Sequence, residues 1–291
     1  MIVDTDTASD DAVALIMALR EPAVEVVAIT VVAGNVPLPQ ASRNARYTVE
    51  LCGAEVPVHE GATGPLKRDL QTATFFHGED GLGDRGYPPP RRPPAAAHAV
   101  PALVAAIRAH PGVVLVTLGP LTNVALALAE APDIAPRVGR CVVMGGAACT
   151  VGNVTPAAEY NIWCDPEAAQ ACFRSGLPIE MVGWELSRED ANLDNRSLFR
   201  APGISLPDPV AMAVALDPEV VTRRSRHAVD VECEGTLTRG MTVVDQLDVV
   251  RRGLADAGGW RPEAASEEPS VTVCWEIDVP RFKERLFRAL S

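Results

Sequence analysis

The sequence predicts an α/β fold: a single domain with a mostly parallel, Rossmann-like open sheet flanked by helices, its active site at the carboxyl edge of the strands. Three observations predict it. Apolar runs of strand length recur along the chain, among them VEVVAITVV at 24–32, VVLVTL at 113–118 and PIEMVGW at 178–184. Stretches of helical pattern separate them, and strands that alternate with helices pair in parallel. Turn formers stand where the strands end, as at Gly34-Asn35, Gly119-Pro120 and Gly145-Gly146.

In chain order, Met1–Val3 is an apolar start, Asp4-Thr5-Asp6-Thr7-Ala8-Ser9-Asp10-Asp11 an acidic turn, and Ala12–Leu19 a helix-forming run. The strand at 24–32 exits into Gly34, Asn35 and Val36. Ser42–Leu51 has a helical pattern and Val56–Glu60 that of a short strand. From 66 to 97 the rhythm breaks: FFHGEDGLGD is followed by YPPPRRPP, too rich in Gly and Pro for regular structure over a long span. Long irregular loops are often lids or binding loops, and a plain surface excursion fits the composition equally. His77 is therefore either an exposed loop residue or one that folds over a ligand.

Ala99–His110 reads as a helix and 113–118 as a buried strand, which places the Leu118 carbonyl at the carboxyl edge where ligands bind in open α/β sheets. Cys141–Met144 is the next strand. Asp165-Pro166-Glu167 carries the signals of a helix start, with Asp as cap, Pro at the first helical position and Glu in the first turn. Asp208-Pro209, before Val210–Leu216, reads locally in the same way. Strands at Val229–Cys233 and Val271–Ile277 and a helix at Arg281–Leu290 complete the chain, with neither repeats nor a linker between two cores.

Composition limits the function classes. Hydrophobic residues are 47% and charged residues 22%, as in globular proteins. There is neither an apolar run long enough for a bilayer nor a basic-then-apolar leader, so a cytoplasmic protein without a membrane partner is expected. The net charge of −12 repels polyanions, so no nucleic-acid partner is expected. The seven cysteines include no C-x-x-C pair, and most sit in apolar settings that read as small buried thiols, not as disulfides or a zinc site.

The acidic turn is the candidate for chemistry. Four carboxylates within eight residues repel one another, and burying them unpaired is costly. A hard divalent cation such as Ca²⁺ or Mg²⁺ removes that cost. Capping by Ser9 or Asp10 accounts for one or two of the acids and leaves the rest solvated. Haloacid-dehalogenase-like phosphohydrolases also place Asp-x-Asp after a strand, but favour Thr or Val two places after the second Asp, where Ala8 stands.

Asp-x-Asp-x-x-x-Asp-Asp instead resembles the nucleoside hydrolases, the inosine-uridine-preferring N-ribohydrolase family. Further blocks follow in that family's order: Gly34-Asn35-Val36, His77 to Gly83, Gly119 to Asn123, Met144-Gly145-Gly146, Glu159-Tyr160-Asn161, Asp165 to Ala169, Asp208-Pro209 and Arg239 to Asp245. The resemblance spans essentially the whole chain. It implies Ca²⁺-dependent hydrolysis of ribonucleosides to ribose and free base. It implies Asp6, Asp11, the Leu118 carbonyl and Asp208 as Ca²⁺ ligands, with Asp6 also the catalytic base. Asp10, Asn35, Glu159, Asn161 and the backbone around Met144 are implied to hold the ribose, and homodimers or homotetramers are expected.

Two departures fall on the base-recognition side. Pro207 stands where inosine-uridine-type members carry His before the late Asp-Pro. Their Leu-Asp-Val-Thr-His strand exit reads Trp184-Glu185-Leu186-Ser187-Arg188 here. Phe75, Phe76, His77, Tyr160 and Trp184 are candidates to meet the base, and Trp184 could equally be a core residue at a strand end. A different riboside aglycone, or a member that binds ribosides and Ca²⁺ without cleaving them, are the competing readings.

Overall fold

The computed structural model describes residues 1–193, 204–249 and 271–291. The elements run β1 (Ile2–Thr5), α1 (Ser9–Leu19), β2 (Ala28–Val31), α2 (Leu38–Leu51), β3 (Val58–Glu60), α3 (Thr74–His77) and α4 (Ala99–Ala109). There follow β4 (Val113–Thr117), α5 (Thr122–Glu130), β5 (Val138–Met144), α6 (Tyr160–Cys164), α7 (Pro166–Phe173) and β6 (Ile179–Val182). The last are α8 (Pro207–Leu216), β7 (Val221–His227), β8 (Val229–Val231), β9 (Thr242–Val244), β10 (Val271–Ile277) and α9 (Val279–Leu290).

Eight strands form one sheet in the order β3-β2-β1-β4-β5-β6-β10-β7. The pairings from β3 to β10 are parallel, and β7 closes the edge antiparallel to β10. The first six follow the doubly wound order, in which the chain reverses direction across the sheet between β1 and β4 and opens a crevice there. Short βα connections require this arrangement, because each crossover returns the chain to the same edge.

Alternate residues along the strands feed two cores. Val3, Val31, Val116 and Val142 face α1, α2, α8 and α9. Ile2, Leu115, Cys141, Val143 and Met181 face α4, α5 and α7. Covered on both faces, the strands are apolar throughout, which is why they appear in the sequence as continuous runs. Phe282 and Leu286 of α9 are fully buried, each worth roughly 1.5–3 kcal/mol. Among the described residues no helix is long and apolar enough to cross a membrane.

Some boundaries differ from the sequence reading. The strand expected at 24–32 is only Ala28–Val31, since the chain turns at Glu21–Val24 before joining the sheet. Val229–Val231 leaves the main sheet and pairs with Thr242–Val244 in a two-stranded ribbon. The sequence reading misses β7, a strand whose middle residues Thr222–Arg226 are exposed and carry no apolar alternation.

Candidate active site

Every acid of the first turn is shaped by the exit of β1. Asp11, in the first turn of α1, accepts from Thr5 Oγ1 at 2.6 Å and from the Ala8 N–H at 2.9 Å. The residue at the cap position is Ala8, so neither Ser9 nor Asp10 caps the helix. Ser9 Oγ instead meets His77 Nδ1 at 2.8 Å. Asp4 is fully buried, and its Oδ1 accepts from Thr30 Oγ1 and Asn123 Nδ2. Burial raises the Asp4 carboxyl to about 7 despite those two bonds.

Asp6 Oδ2 accepts the Asn35 N–H at 2.5 Å, while Oδ1 is buried with no hydrogen-bond partner. Two motif glycines press on this carboxylate. A Cβ on Gly34 would collide with Asp6 Oδ2, and one on Gly119 would lie 2.8 Å from Oδ1. The exits of β2 and β4 carry glycine because backbone must pass directly against the acid.

Asp208 lies 197 positions after Asp11 in the sequence, yet one carboxylate oxygen from each of Asp10, Asp11 and Asp208 lies within 4.8 Å of the others. Its local reading as a helix cap is overturned: the residue at the cap position of α8 is Leu206, and no side-chain cap bond forms there. Burial, and then the charges of Asp11 and its neighbours, raise the Asp208 and Asp6 carboxyls well above the usual range. Asp10 is pushed up to about 7 for the same reasons. Asp6 stands outside the tight trio but feels both Asp11 and Asp10. Buried oxygens without partners on Asp6 and Asp10, in an all-oxygen set of crowded acids, fit a hard divalent cation.

Beside this cluster opens a cavity of about 620 Å³. Asp10, Asn35, Leu118, Met144, Glu159, Asn161 and Asp208 line one part of it, while Asp6 and Asp11 are not on its wall. Asn161 Nδ2 donates to the Leu118 carbonyl at 2.7 Å and to the Met144 carbonyl at 3.2 Å. Glu159 caps α6, its two oxygens accepting from the N–H groups of Asn161, Gly146 and Ile162. Burial nevertheless holds its carboxyl up at about 7. The Asn35 side chain makes no hydrogen bond with a described residue, which leaves its amide to a ligand.

The other part is lined by Phe75, Phe76, His77, Tyr160, Trp184 and Pro207. Phe75 and Phe76 are 86% and 70% exposed at the mouth. The Tyr160 hydroxyl donates to the Gln71 carbonyl at 2.8 Å, and burial raises its pKa further, so it is a poor acid. Trp184 is half-buried on the cavity wall, not a core residue. Asp165 does cap α7, accepting from Ala168 N–H at 3.1 Å.

The sequence reading misses Asn153 and Arg188 as lining residues. Asn153 Oδ1 accepts the Tyr160 N–H at 2.9 Å from a loop with no motif to mark it. Arg188 was visible only as a departure from a family pattern.

A doubly wound sheet with an acidic cation cradle and a polar pocket at its switch point defines an α/β enzyme acting on a small polar ligand. Residues 1–284 match the inosine-uridine preferring nucleoside hydrolase family. Uridine nucleosidase 1 of Arabidopsis thaliana is 36% identical over 96% of this chain and 89% of its own length. Among solved structures, a plant nucleoside hydrolase superposes with a TM-score of 0.87 at 32% identity, covering 99% of this chain and 98% of that one. A purine-preferring ribonucleoside hydrolase from Gardnerella vaginalis gives 0.84 at 32% identity, covering 99% and 97%. The chain belongs to the nucleoside hydrolase family and is a ribonucleoside N-glycosidase.

Proposed function

We propose that the chain hydrolyses the N-glycosidic bond of ribonucleosides to ribose and free base in a Ca²⁺-dependent reaction. The carrying observation is that acids far apart in the chain, Asp10, Asp11 and Asp208, converge beside a pocket lined with polar groups suited to ribose hydroxyls. Asp6, Asp11, Asp208 and the Leu118 carbonyl are the proposed ligands, with Asp10 adjacent. When bound, the cation supplies positive charge that acidifies water and grips hydroxyls.

The chain's own residues do the rest. Asn35, Asn161, Glu159 and Asp10 hold the ribose hydroxyls, with the Met144 backbone along the sugar, and so orient the anomeric carbon. Asp6 takes the proton of the attacking water. The buried carboxylates of Asp10 and Glu159 favour the positive charge that develops on the sugar. Residues 66–97 act as a lid, carrying Phe76 and His77 over the base with Tyr160 and Trp184. Cytoplasmic location and a homodimeric or homotetrameric state extend the same reading.

The test is release of reducing sugar from a panel of purine and pyrimidine ribonucleosides, before and after chelation and with Ca²⁺ restored. The expected result is turnover that chelation abolishes and Ca²⁺ recovers. No release from any member, with Ca²⁺-dependent ribose binding retained, favours a non-catalytic riboside binder, which the lack of a proton on Pro207 would suit. Full turnover in the chelated protein sinks the cation dependence.

A further inference from the structure

The cavity has a permanent cation that the steps above leave unused. Arg188 follows the turn at the exit of β6 and lines the cavity with Trp184. Its guanidinium meets Thr150 Oγ1 at 3.5 Å, the outer limit of a hydrogen bond. That is its one side-chain hydrogen bond among the described residues. Glu185 feels the Arg188 charge but forms no ion pair with it: Glu185 gives one oxygen to the Ala148 N–H at 3.1 Å and leaves the other unbonded. A guanidinium has five N–H donors in a planar fork, so most of this fork is free for a ligand.

Trp184 Nε1, Asn153 Nδ2 and His77 Nε2 also line the cavity, but Arg188 is the one lysine or arginine among the described lining residues. The Tyr160 hydroxyl is spent on Gln71, His77 Nδ1 is engaged with Ser9, and Pro207 has no side-chain proton. The position of Arg188 suits the far end of a nucleoside. The exit of β6 stands three strands from that of β1, about 14 Å at sheet spacing. A sugar seated by the β1, β4 and β5 exits leaves the β6 exit within the reach of its base.

We propose that Arg188 binds the departing base and carries its negative charge. This rests on the ribonucleoside hydrolase reading. As the C–N bond breaks, its electron pair passes to the base nitrogen. Water oxygen bonds to the anomeric carbon, and Asp6 takes the water proton. In a 2,4-dioxopyrimidine or a 6-oxopurine the pair delocalises onto carbonyl oxygens that accept hydrogen bonds from the fork. Arginine keeps its protons, so it stabilises the anion by donation, and the base collects a proton from solvent after release. Adenine lacks a carbonyl oxygen to hold the charge and sets its amino donor beside its ring-nitrogen acceptors, so it gains less from this contact.

Arg188→Ala and Arg188→Lys are to be compared with the parent on uridine, inosine, adenosine and p-nitrophenyl ribofuranoside, whose phenolate leaves without help. Removal of an electrostatic donor of this kind costs about 100-fold or more in turnover. The expected result is a loss of that order in Arg188→Ala on uridine and inosine, but under about threefold on the aryl riboside. Arg188→Lys recovers part of the loss, and the pH profile keeps its shape. An equal loss on the aryl riboside, or undiminished turnover of uridine and inosine, overturns the proposal. If the parent cleaves adenosine and the aryl riboside but neither oxo nucleoside, the base assignment fails while the hydrolase stands. If the parent cleaves nothing, the hydrolase reading falls and takes this one with it.

Discussion

Asn161 ties the exit of β4 to the start of α6: its side-chain amide donates to the Leu118 carbonyl at 2.7 Å. The same amide reaches the Met144 carbonyl, so one side chain spans two neighbouring strand exits. Asn161→Ala leaves two buried carbonyls without this donor, at about 1–3 kcal/mol. We expect the melting temperature to fall by about 2–4 °C per kcal/mol and kcat/KM by at least about 100-fold. Calorimetry and steady-state kinetics check the two effects separately, and unchanged kinetics would remove Asn161 from the sugar site.

Gly34 offers a sharper probe of Asp6. A methyl group at Gly34 would collide with the Asp6 carboxylate and lie 2.8 Å from Pro120 Cδ, so both must give, while the backbone there needs no left-handed conformation. Gly34→Ala is therefore expected to lose at least about 100-fold in turnover with native circular dichroism, much as Asp6→Asn does. Activity within tenfold of the parent would show that the placement of Asp6 is not critical.

Stability of the cation-free protein is expected to fall as pH rises. Burial raises Asp4, Asp10 and Glu159 to about 7, against ordinary values of 3.8 for the aspartates and 4.5 for the glutamate. Between those limits the folded chain binds more protons than the unfolded one, so the slope of stability against pH is negative. The contribution is complete below about pH 4 and is lost as pH climbs through 7. The melting temperature of chelated protein should drop by more than about 5 °C from pH 5 to pH 8, and Ca²⁺ should restore most at the alkaline end. A melting temperature that rises with pH in chelator contradicts this.

The contact between Ser9 Oγ and His77 Nδ1 joins α1 to the short helix α3. One such bond is worth about 0.5–1.5 kcal/mol, so Ser9→Ala should raise KM by roughly 2- to 12-fold with a smaller change in kcat. Faster proteolysis within 66–97 in the variant, slowed by a bound nucleoside analogue, would confirm a lid. Equal cleavage rates in parent and variant would count against it.

Much of this fold is readable from sequence because parallel strands buried on both faces cannot hide. The runs at 113–118 and 178–184 mark β4 and β6 directly, and Asp165-Pro166-Glu167 does cap its helix. The β7 edge is invisible for the opposite reason: half its partners are solvent, so Thr222-Arg223-Arg224-Ser225-Arg226 carries no apolar period. Asp208 shows how a local rule misleads, since Asp before Pro at a helix start looks like a cap wherever it occurs. Only the packing of α8 against α1 shows that it faces Asp10 and Asp11. Arg188 and Asn153 line the cavity from irregular segments, where periodicity carries no information.

The arginines of β7 bear on assembly. Arg223 is matched by Glu276 on the neighbouring strand, whereas Arg224 and Arg226 are exposed on an edge strand that, among the described residues, has no strand on its outer side. A second copy zipping onto that border, head to tail, would set guanidinium against guanidinium along a short ladder. Like charge thus guards this basic rim of an acidic molecule and disfavours a sheet that runs on from one copy into the next across it.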